Sequence, residues 1–123
     1  MTRAIALFVV LLGMQFAALA ADVSGKWNFE VQLDAGSGSP TFLFEQSGEN
    51  LAGKYQGQFG EEKIAGTVKG NAIRFSFRLS QGGESIEVVY EGTIEADGSM
   101  KGKATYGTMA SGTWTAKRAS ERN

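Results

Sequence analysis

The sequence predicts an all-β protein, an eight-stranded antiparallel up-and-down β-barrel (a meander) preceded by a cleaved signal peptide. Three observations lead to this fold class: apolar and polar residues alternate through short segments, turn residues separate those segments, and one glycine-containing pattern recurs along the chain. Alternation with period two buries one face of each strand. A flat meander would expose two edges, whereas closure into a barrel removes both. A sandwich of two sheets is the alternative architecture.

Residues 1–20 have the features of an export signal. Arg3 supplies a short positive region, residues 4–12 are apolar without a break, and Ala18-Leu19-Ala20 is a small-x-small pattern that a signal peptidase accepts. A single transmembrane anchor is the alternative, although the apolar stretch is marginal in length for one. The chain has no cysteine to carry a lipid. We therefore expect residues 21–123 to form one domain that is free of the membrane after cleavage, in the periplasm or outside the cell.

The recurrent pattern consists of an apolar residue, any residue, Gly, Lys or Thr, and a second apolar residue. In a strand, the glycine and the two apolar residues share the inner face, and the Lys or Thr lies on the outer face. A glycine on the inner face permits sharp curvature or the close approach of a neighbouring strand. The copies are VSGKW at 23–27, LAGKY at 51–55, IAGTV at 64–68, YEGTI at 90–94, MKGKA at 100–104 and ASGTW at 110–114.

Alternation and turn residues together define the individual strands. After the first strand, Asp34–Pro40 is rich in Gly and Ser, which predicts a flexible loop and a candidate lid. The sixth strand has a competing interpretation, because the glutamates between 84 and 95 are spaced as on a helix face. Ile86, Val88 and Tyr90 alternate through the same segment, however, and favour a strand. The predicted strands cover approximately 25–33, 41–46, 50–57, 62–69, 72–80, 84–95, 99–106 and 110–118.

Turn lengths predict the registers between the strands. Two-residue turns fit Ser47-Gly48, Gly70-Asn71 and Gly82-Gly83, and three-residue loops fit Ala96–Gly98 and Gly107–Met109. These turns place large side chains or glycines opposite inward glycines and pair opposite charges on the outer face. The predicted inner pairs are Phe42 with Gly53, Phe44 with Leu51, Gly66 with Phe75, Ile73 with Gly92, Gly92 with Gly102, Ile94 with Met100, and Gly102 with Trp114. The predicted outer pairs are Arg78 with Glu87, Arg74 with Glu91, and Glu91 with Lys103.

Ser24-Gly25-Lys26-Trp27 at the start of the first strand, with Arg118 at the end of the last, resembles the calycin superfamily. In its members, a Gly-x-Trp and a basic residue meet where the barrel closes. The resemblance implies that Gly25, Trp27 and Arg118 form this closure, with Trp27 plugging one barrel end and Arg118 lying across its ring. Guanidinium groups stack favourably on indole faces.

Within that superfamily the residues leave the family open. The helix-free meander is similar in plan to the avidins, whereas lipocalins carry a helix after the barrel, and only five residues follow Arg118 here. Fatty-acid-binding proteins insert two helices after the first strand, where Asp34–Pro40 is too short. Bacterial metalloprotease inhibitors begin with a similar Ser-Gly-x-Trp and use an N-terminal arm, for which about Ala21–Val23 would be available.

Composition excludes most chemistry. The chain contains no histidine and no cysteine, which removes a His base, a Cys nucleophile, haem and Fe–S ligation, and Cys/His zinc sites. Twelve Lys and Arg against 13 Asp and Glu give a net charge of −1, without the basic excess of a nucleic-acid binder. Residues 36–40 do not form a nucleophile elbow, and the neighbouring Glu61 and Glu62 point to opposite faces. We therefore predict no enzyme activity, no cofactor, no metal and no nucleic-acid partner.

The barrel interior is then where the sequence places function. We predict that it binds a small, largely apolar ligand, because aromatic side chains converge there beside inward glycines. A protein-binding or protease-inhibitor module, and a structural accessory domain without a pocket, are the alternatives, and the oligomeric state is left open. The predicted ligand-binding residues are Trp27, Phe29, Phe42, Phe44, Tyr55, Phe75, Phe77, Tyr90, Tyr106 and Trp114, with Val31 and Val88 beside them.

Overall fold

The computed structural model describes residues 21–81 and 83–119, which form an all-β antiparallel fold. The predicted signal peptide, residues 1–20, lies outside this part of the chain, and within the part described no helix could span a membrane. The strands formed by the described residues are β1 (Gly25–Leu33), β2 (Gly36–Gly38), β3 (Thr41–Ser47), β4 (Asn50–Gly57), β5 (Gly60–Lys69), β6 (Ala72–Gln81), β7 (Glu84–Ile94), β8 (Met100–Tyr106) and β9 (Ala110–Arg118).

The long strands close into the predicted eight-stranded up-and-down barrel. From β3 to β9 each strand pairs with the next along the chain, and β1 pairs with both β3 and β9. The closing ladder between β1 and β9 runs from Trp27 opposite Arg118 to Leu33 opposite Gly112. Because this ladder joins the two ends of the meander, the fold-class prediction is confirmed and the two-sheet sandwich is excluded.

The segment Asp34–Pro40 is not the flexible loop predicted from its composition. The chain turns at Asp34-Ala35, and β2 pairs with the end of β1, so that Leu33 lies opposite Gly36. The same register continues into β3, where Asn28 lies opposite Thr41. Between the two, the Phe29 N–H donates to the Pro40 carbonyl at 3.0 Å. Glycine and serine here supply a tight turn and a short edge strand, which local composition does not distinguish from a loop.

Most of the predicted registers are confirmed. The inner pairs from Gly66–Phe75 to Gly102–Trp114 occur as predicted, and Arg74 lies opposite Glu91 and Arg78 opposite Glu87. The exception is the β3–β4 hairpin, whose turn is Gly48-Glu49, so that Phe44 lies opposite Gly53. Gly48 has a φ of +62°, which suits the first central position of such a turn. The shift is by two residues, and therefore every side chain keeps its predicted face.

The barrel interior is filled by apolar side chains. The ten predicted ligand-binding residues and the neighbouring Val31 and Val88 are all buried, and no polar or charged residue in the described part of the chain is buried with them. Phe29 lies among five other aromatic rings, with centroid distances from 4.5 Å to Phe42 to 6.2 Å to Phe44. Ring contacts at these distances leave the middle of the lumen filled by the protein's own side chains.

The recurrent glycines mark places where neighbouring strands approach too closely for any side chain. At Gly102, a Cβ atom would lie 1.9 Å from the Glu91 carbonyl oxygen on β7. Four further inward glycines would meet a carbonyl on the adjacent strand at 1.9–2.2 Å; they are Gly53, Gly66, Gly92 and Gly112. These contacts give the Gly-Lys/Thr pattern its physical meaning, because such glycines let a sheet coil tightly into a barrel.

Candidate functional site

One end of the barrel is closed by the segment 21–24. Within this segment the Val23 side chain is buried, and the Trp27 indole N–H donates to the Val23 carbonyl at 2.9 Å. The Arg118 guanidinium carbon lies 4.7 Å from the centroid of the Trp27 ring. The same guanidinium donates to the carbonyl oxygens of Ser24 and Asp22, at 2.7 and 3.1 Å. Trp27 and Arg118 therefore meet at the closure, with Gly25 close enough that its Cβ would lie 3.1 Å from the guanidinium.

Gln46, on β3, holds the same segment from the other side. Its side-chain nitrogen donates to the Ala21 carbonyl at 2.6 Å, and its side-chain oxygen accepts the Val23 N–H at 2.8 Å. The Ser24 hydroxyl accepts the Gln46 backbone N–H at 3.0 Å. Residues 21–24 are thus fixed across this end, which we call the closed end.

The opposite end of the barrel, the open end, contains a cleft of about 510 Å³. It lies between β2, the Gln58-Phe59 turn that joins β4 to β5, and the loop that joins β8 to β9. Leu33, Pro40 and Ala110 contribute to its apolar walls. The segment Asp34–Pro40, predicted to be a lid, lines this cleft from Ala35 to Pro40 as a strand and turn.

Two large apolar side chains stand exposed at the mouth of this cleft. Phe59 is 39% exposed and Met109 is 65% exposed, and both line the cleft. Each occupies a turn, where a polar residue would be the usual choice. Because both line the same cleft, they extend its apolar lining to the solvent. A continuous exposed apolar patch, unlike scattered single residues, is typical of a binding surface.

Three tyrosines lie beneath the cleft. Tyr55 and Tyr106 line it, and the hydroxyl of the fully buried Tyr90 lies 2.7 Å from that of Tyr106. Either hydroxyl can be the donor of this bond. In both cases the Tyr106 hydroxyl keeps a further hydrogen-bonding position, as donor or as acceptor, for a partner in the cleft that Tyr106 lines.

Burial raises the pKa of Tyr55, Tyr90 and Tyr106 above the ordinary value of 10.0. All three hydroxyls are therefore neutral at physiological pH. The two that line the cleft, Tyr55 and Tyr106, offer a ligand hydrogen bonds but no negative charge and no general base.

The ten predicted ligand-binding residues divide between the cleft and the interior. Tyr55 and Tyr106 line the cleft, whereas the other eight are buried side chains of the barrel and do not reach it. The indole N–H groups need no ligand, since that of Trp27 is bonded at the closed end and that of Trp114 donates to the Lys103 carbonyl at 2.9 Å. A ligand-binding role for the ten residues stays a prediction.

Sequence reasoning missed Phe59 and Met109. The available signal was the presence of a large apolar residue inside each of two predicted turns.

The outer face of the barrel is polar. A shallow groove of about 720 Å³ crosses β5 to β9. Threonine, lysine, Arg74 and Glu91 side chains line it, and the apolar Ala72, Ile73 and the predicted ligand-binding residue Trp114 form part of its floor between the strand glycines. Arg74 forms the predicted ion pair with Glu91, while Arg78 donates to the Ser85 hydroxyl at 3.0 Å. Both carboxylate and guanidinium of the Arg74–Glu91 pair are exposed, so this face has the character of a solvated surface.

Comparison with known proteins identifies the fold alone. No family model matches the chain, and no curated protein matches it. Among solved structures it is similar to a redesigned β-barrel, with 18% sequence identity and a TM-score of 0.64 over 80% of this chain and 92% of that one. The likeness supports an eight-stranded antiparallel barrel.

Proposed function

We propose that this protein is an exported, non-enzymatic β-barrel that binds a small, largely apolar ligand in the cleft at its open end. The observation that carries the proposal is the cleft itself, about 510 Å³ in volume, with Phe59 and Met109 exposed at its mouth. Ligand sites of this kind occupy about 300–1,000 Å³ and combine apolar walls with a few polar groups. The Tyr106 hydroxyl supplies such a polar group.

The proposed place in the calycin superfamily is supported by the closed end. Trp27, Arg118 and Gly25 meet as the resemblance implies, in a meander of eight long strands. Residues 1–20 support export to the periplasm or the cell exterior.

The chemistry of the site favours binding over catalysis. Without histidine or cysteine, a general base would have to come from the tyrosines, the carboxylates or the lysines, and the serines that line the cleft have no histidine to activate them. Burial raises the tyrosine pKa values further above neutrality, and no acidic residue within residues 21–81 and 83–119 is buried. We propose no cofactor, no nucleic-acid partner and no membrane attachment after cleavage of the signal.

A protein-binding function is the second candidate, and the exposed Phe59 and Met109 favour it. Such a function would use the open end. The segment 21–24, which an inhibitor arm would require, is bound across the closed end by Gln46 and Arg118.

The experiment is a titration of the purified protein with an environment-sensitive apolar dye. Met109→Ser removes an exposed rim side chain without disturbing the core, and we expect dye affinity to fall about threefold to tenfold. Leu43→Ser, on the outer face of β3 and away from the cleft, is the matched control and should leave affinity unchanged. Failure of the dye to bind, or an equal loss in both variants, would contradict the proposal.

A further inference from the structure

The strand β2 extends past the end of its neighbour. In the β3–β4 register Thr41 lies opposite Gln56, and the β4–β5 hairpin ends at the Gly57–Gly60 pair. Continuing that register, Ser37 would lie opposite Gly60, beyond the end of β4. Among the described residues, β2 therefore pairs with β1 on one side only, and its other side lies along the cleft.

Hydrogen-bond alternation fixes which backbone groups of β2 face the cleft side. The bond from the Phe29 N–H to the Pro40 carbonyl identifies one hydrogen-bonded pair, and such pairs alternate along an antiparallel ladder. Gly38 and Gly36 are therefore bonded to β1, whereas Ser37 and Ser39 direct their N–H and C=O groups away from it. Among the described residues, β2 pairs with no strand other than β1, and the backbone hydrogen bonds of the neighbouring turns do not involve Ser37 or Ser39.

These observations point to the chemical class of the ligand. We propose that the cleft binds a short apolar peptide in an extended conformation, which adds as a strand along β2 and inserts an apolar side chain into the cleft. The inference rests on the proposed function and specifies its ligand. Strand addition uses backbone hydrogen bonds for affinity and pockets for alternate side chains for specificity.

The spacing of the polar groups matches a peptide backbone. Ser37 and Ser39 are two residues apart, or about 7 Å along a strand, which is the repeat at which an extended partner presents its own N–H and C=O groups. Gly36 and Gly38 carry no side chains that would obstruct it, and a Cβ on Gly38 would touch only the Gln58 side chain, at 3.6 Å. An alkyl chain would cover the same backbone groups without pairing them.

The Tyr106 hydroxyl provides a further contact for such a ligand. Because the Tyr90–Tyr106 bond uses only one of its hydrogen-bonding positions, this hydroxyl can pair with a peptide carbonyl or a peptide N–H, and the residues of an extended ligand carry both groups. Phe59 and Met109 then flank the inserted side chain at the mouth of the cleft.

The test uses a blocked pentapeptide of alternating serine and leucine, together with the same peptide N-methylated at its backbone nitrogens. We expect the unmodified peptide to bind and to displace the apolar dye from the cleft. N-methylation should lower affinity about tenfold or more, because it removes the donors that pair with β2. Equal binding of the two peptides would overturn the inference, and so would peptide binding that leaves the dye in place.

A substitution in the protein tests the same contact from the other side. Ser37→Pro removes a backbone donor that faces the cleft and leaves the β1–β2 hydrogen bonds intact. We expect it to weaken peptide binding about tenfold while dye binding persists, and Ser37→Ala, which keeps the donor, should leave both unchanged. If the dye binds and the peptide does not, the inference fails and the proposed function stands. If neither binds, both fail. The N-methylated peptide gives an answer even where Ser37→Pro unfolds.

Discussion

Replacing Gly102 by alanine places a methyl group where two strands already touch. The new Cβ atom would lie 1.9 Å from the Glu91 carbonyl oxygen and 2.5 Å from the Gly92 Cα, whereas real Cβ atoms keep more than 3.0 Å from such neighbours. Both obstacles are backbone atoms, so no side-chain rotation relieves the overlap. The strands β7 and β8 must separate by about 1 Å.

The cost follows from that separation. Overpacking of this kind destabilises by about 1–3 kcal/mol, and the ladder hydrogen bonds, which are stretched rather than broken, add about 1 kcal/mol in all. We expect a total loss of about 2–4 kcal/mol in the free energy of unfolding. For a domain of this size, that loss lowers the unfolding midpoint by about 10–30 °C.

Gly38→Ala is the matched control. It makes the same change within a strand, but the nearest atom to the new Cβ is the flexible end of Gln58 at 3.6 Å, an ordinary contact. The free energy of unfolding should change by about 0.5 kcal/mol or less. Alanine reduces the conformational entropy of the unfolded chain, and this effect on its own would stabilise the variant. Thermal unfolding followed by circular dichroism compares the two variants. Midpoints within about 2 °C of each other would refute the strand contact at Gly102.

Three further predictions concern the closed end, the buried tyrosines and the signal peptide. Arg118→Ala should lower the free energy of unfolding by about 1–3 kcal/mol in urea titrations, and Arg118→Lys should recover only part of this; an unchanged midpoint in Arg118→Ala would contradict the closure. Because burial raises the pKa of Tyr90, an unfolded tyrosine ionises near pH 10.0 while the folded one stays neutral. Stability should therefore be full below pH 10.0 and fall above it, with a shallower fall in Tyr90→Phe when urea titrations are repeated across alkaline pH; equal slopes would contradict this. N-terminal sequencing of the exported protein should begin at Ala21 or one residue later, and recovery of a membrane-integrated full-length chain would contradict the signal peptide.

The fold was largely predictable because its information is local. Period-two alternation places Phe75, Tyr90 and Trp114 on one face without reference to any distant residue, and turn lengths then set most registers. The register of the β3–β4 hairpin was predicted wrongly because Ser47-Gly48 and Gly48-Glu49 are both plausible turns that use the same glycine. Moving the turn by one position moves the register by two. The strand β2 was not predicted because its three residues are held by pairing with β1, and composition does not reveal that contact.

The candidate site was less predictable because it is formed by the strand ends and turns at one end of the barrel. Period-two reasoning identifies the residues that point inward but does not distinguish a filled lumen from an open one. Tyr106 lines the cleft and Phe44 does not, because their strands end at different places relative to the open end. Phe59 and Met109 lie in turns, outside the alternating pattern, and their position at the cleft follows only once the barrel is closed.

The closure between β1 and β9 also determines how late in folding the native state can appear. Arg118 bonds to carbonyls 94 and 96 positions earlier in the chain. The hairpins from β3 to β9 can form between sequence neighbours, but the barrel gains its last ladder only after β9 is complete, and folding dominated by such distant contacts takes milliseconds to seconds. Until then β1 and β9 are open edges on which two incomplete chains could pair. The outer faces of β1 and β9 carry exposed charged side chains, among them Lys26, Glu30 and Lys117, and charged residues on an open strand discourage edge-to-edge pairing while the barrel is still incomplete.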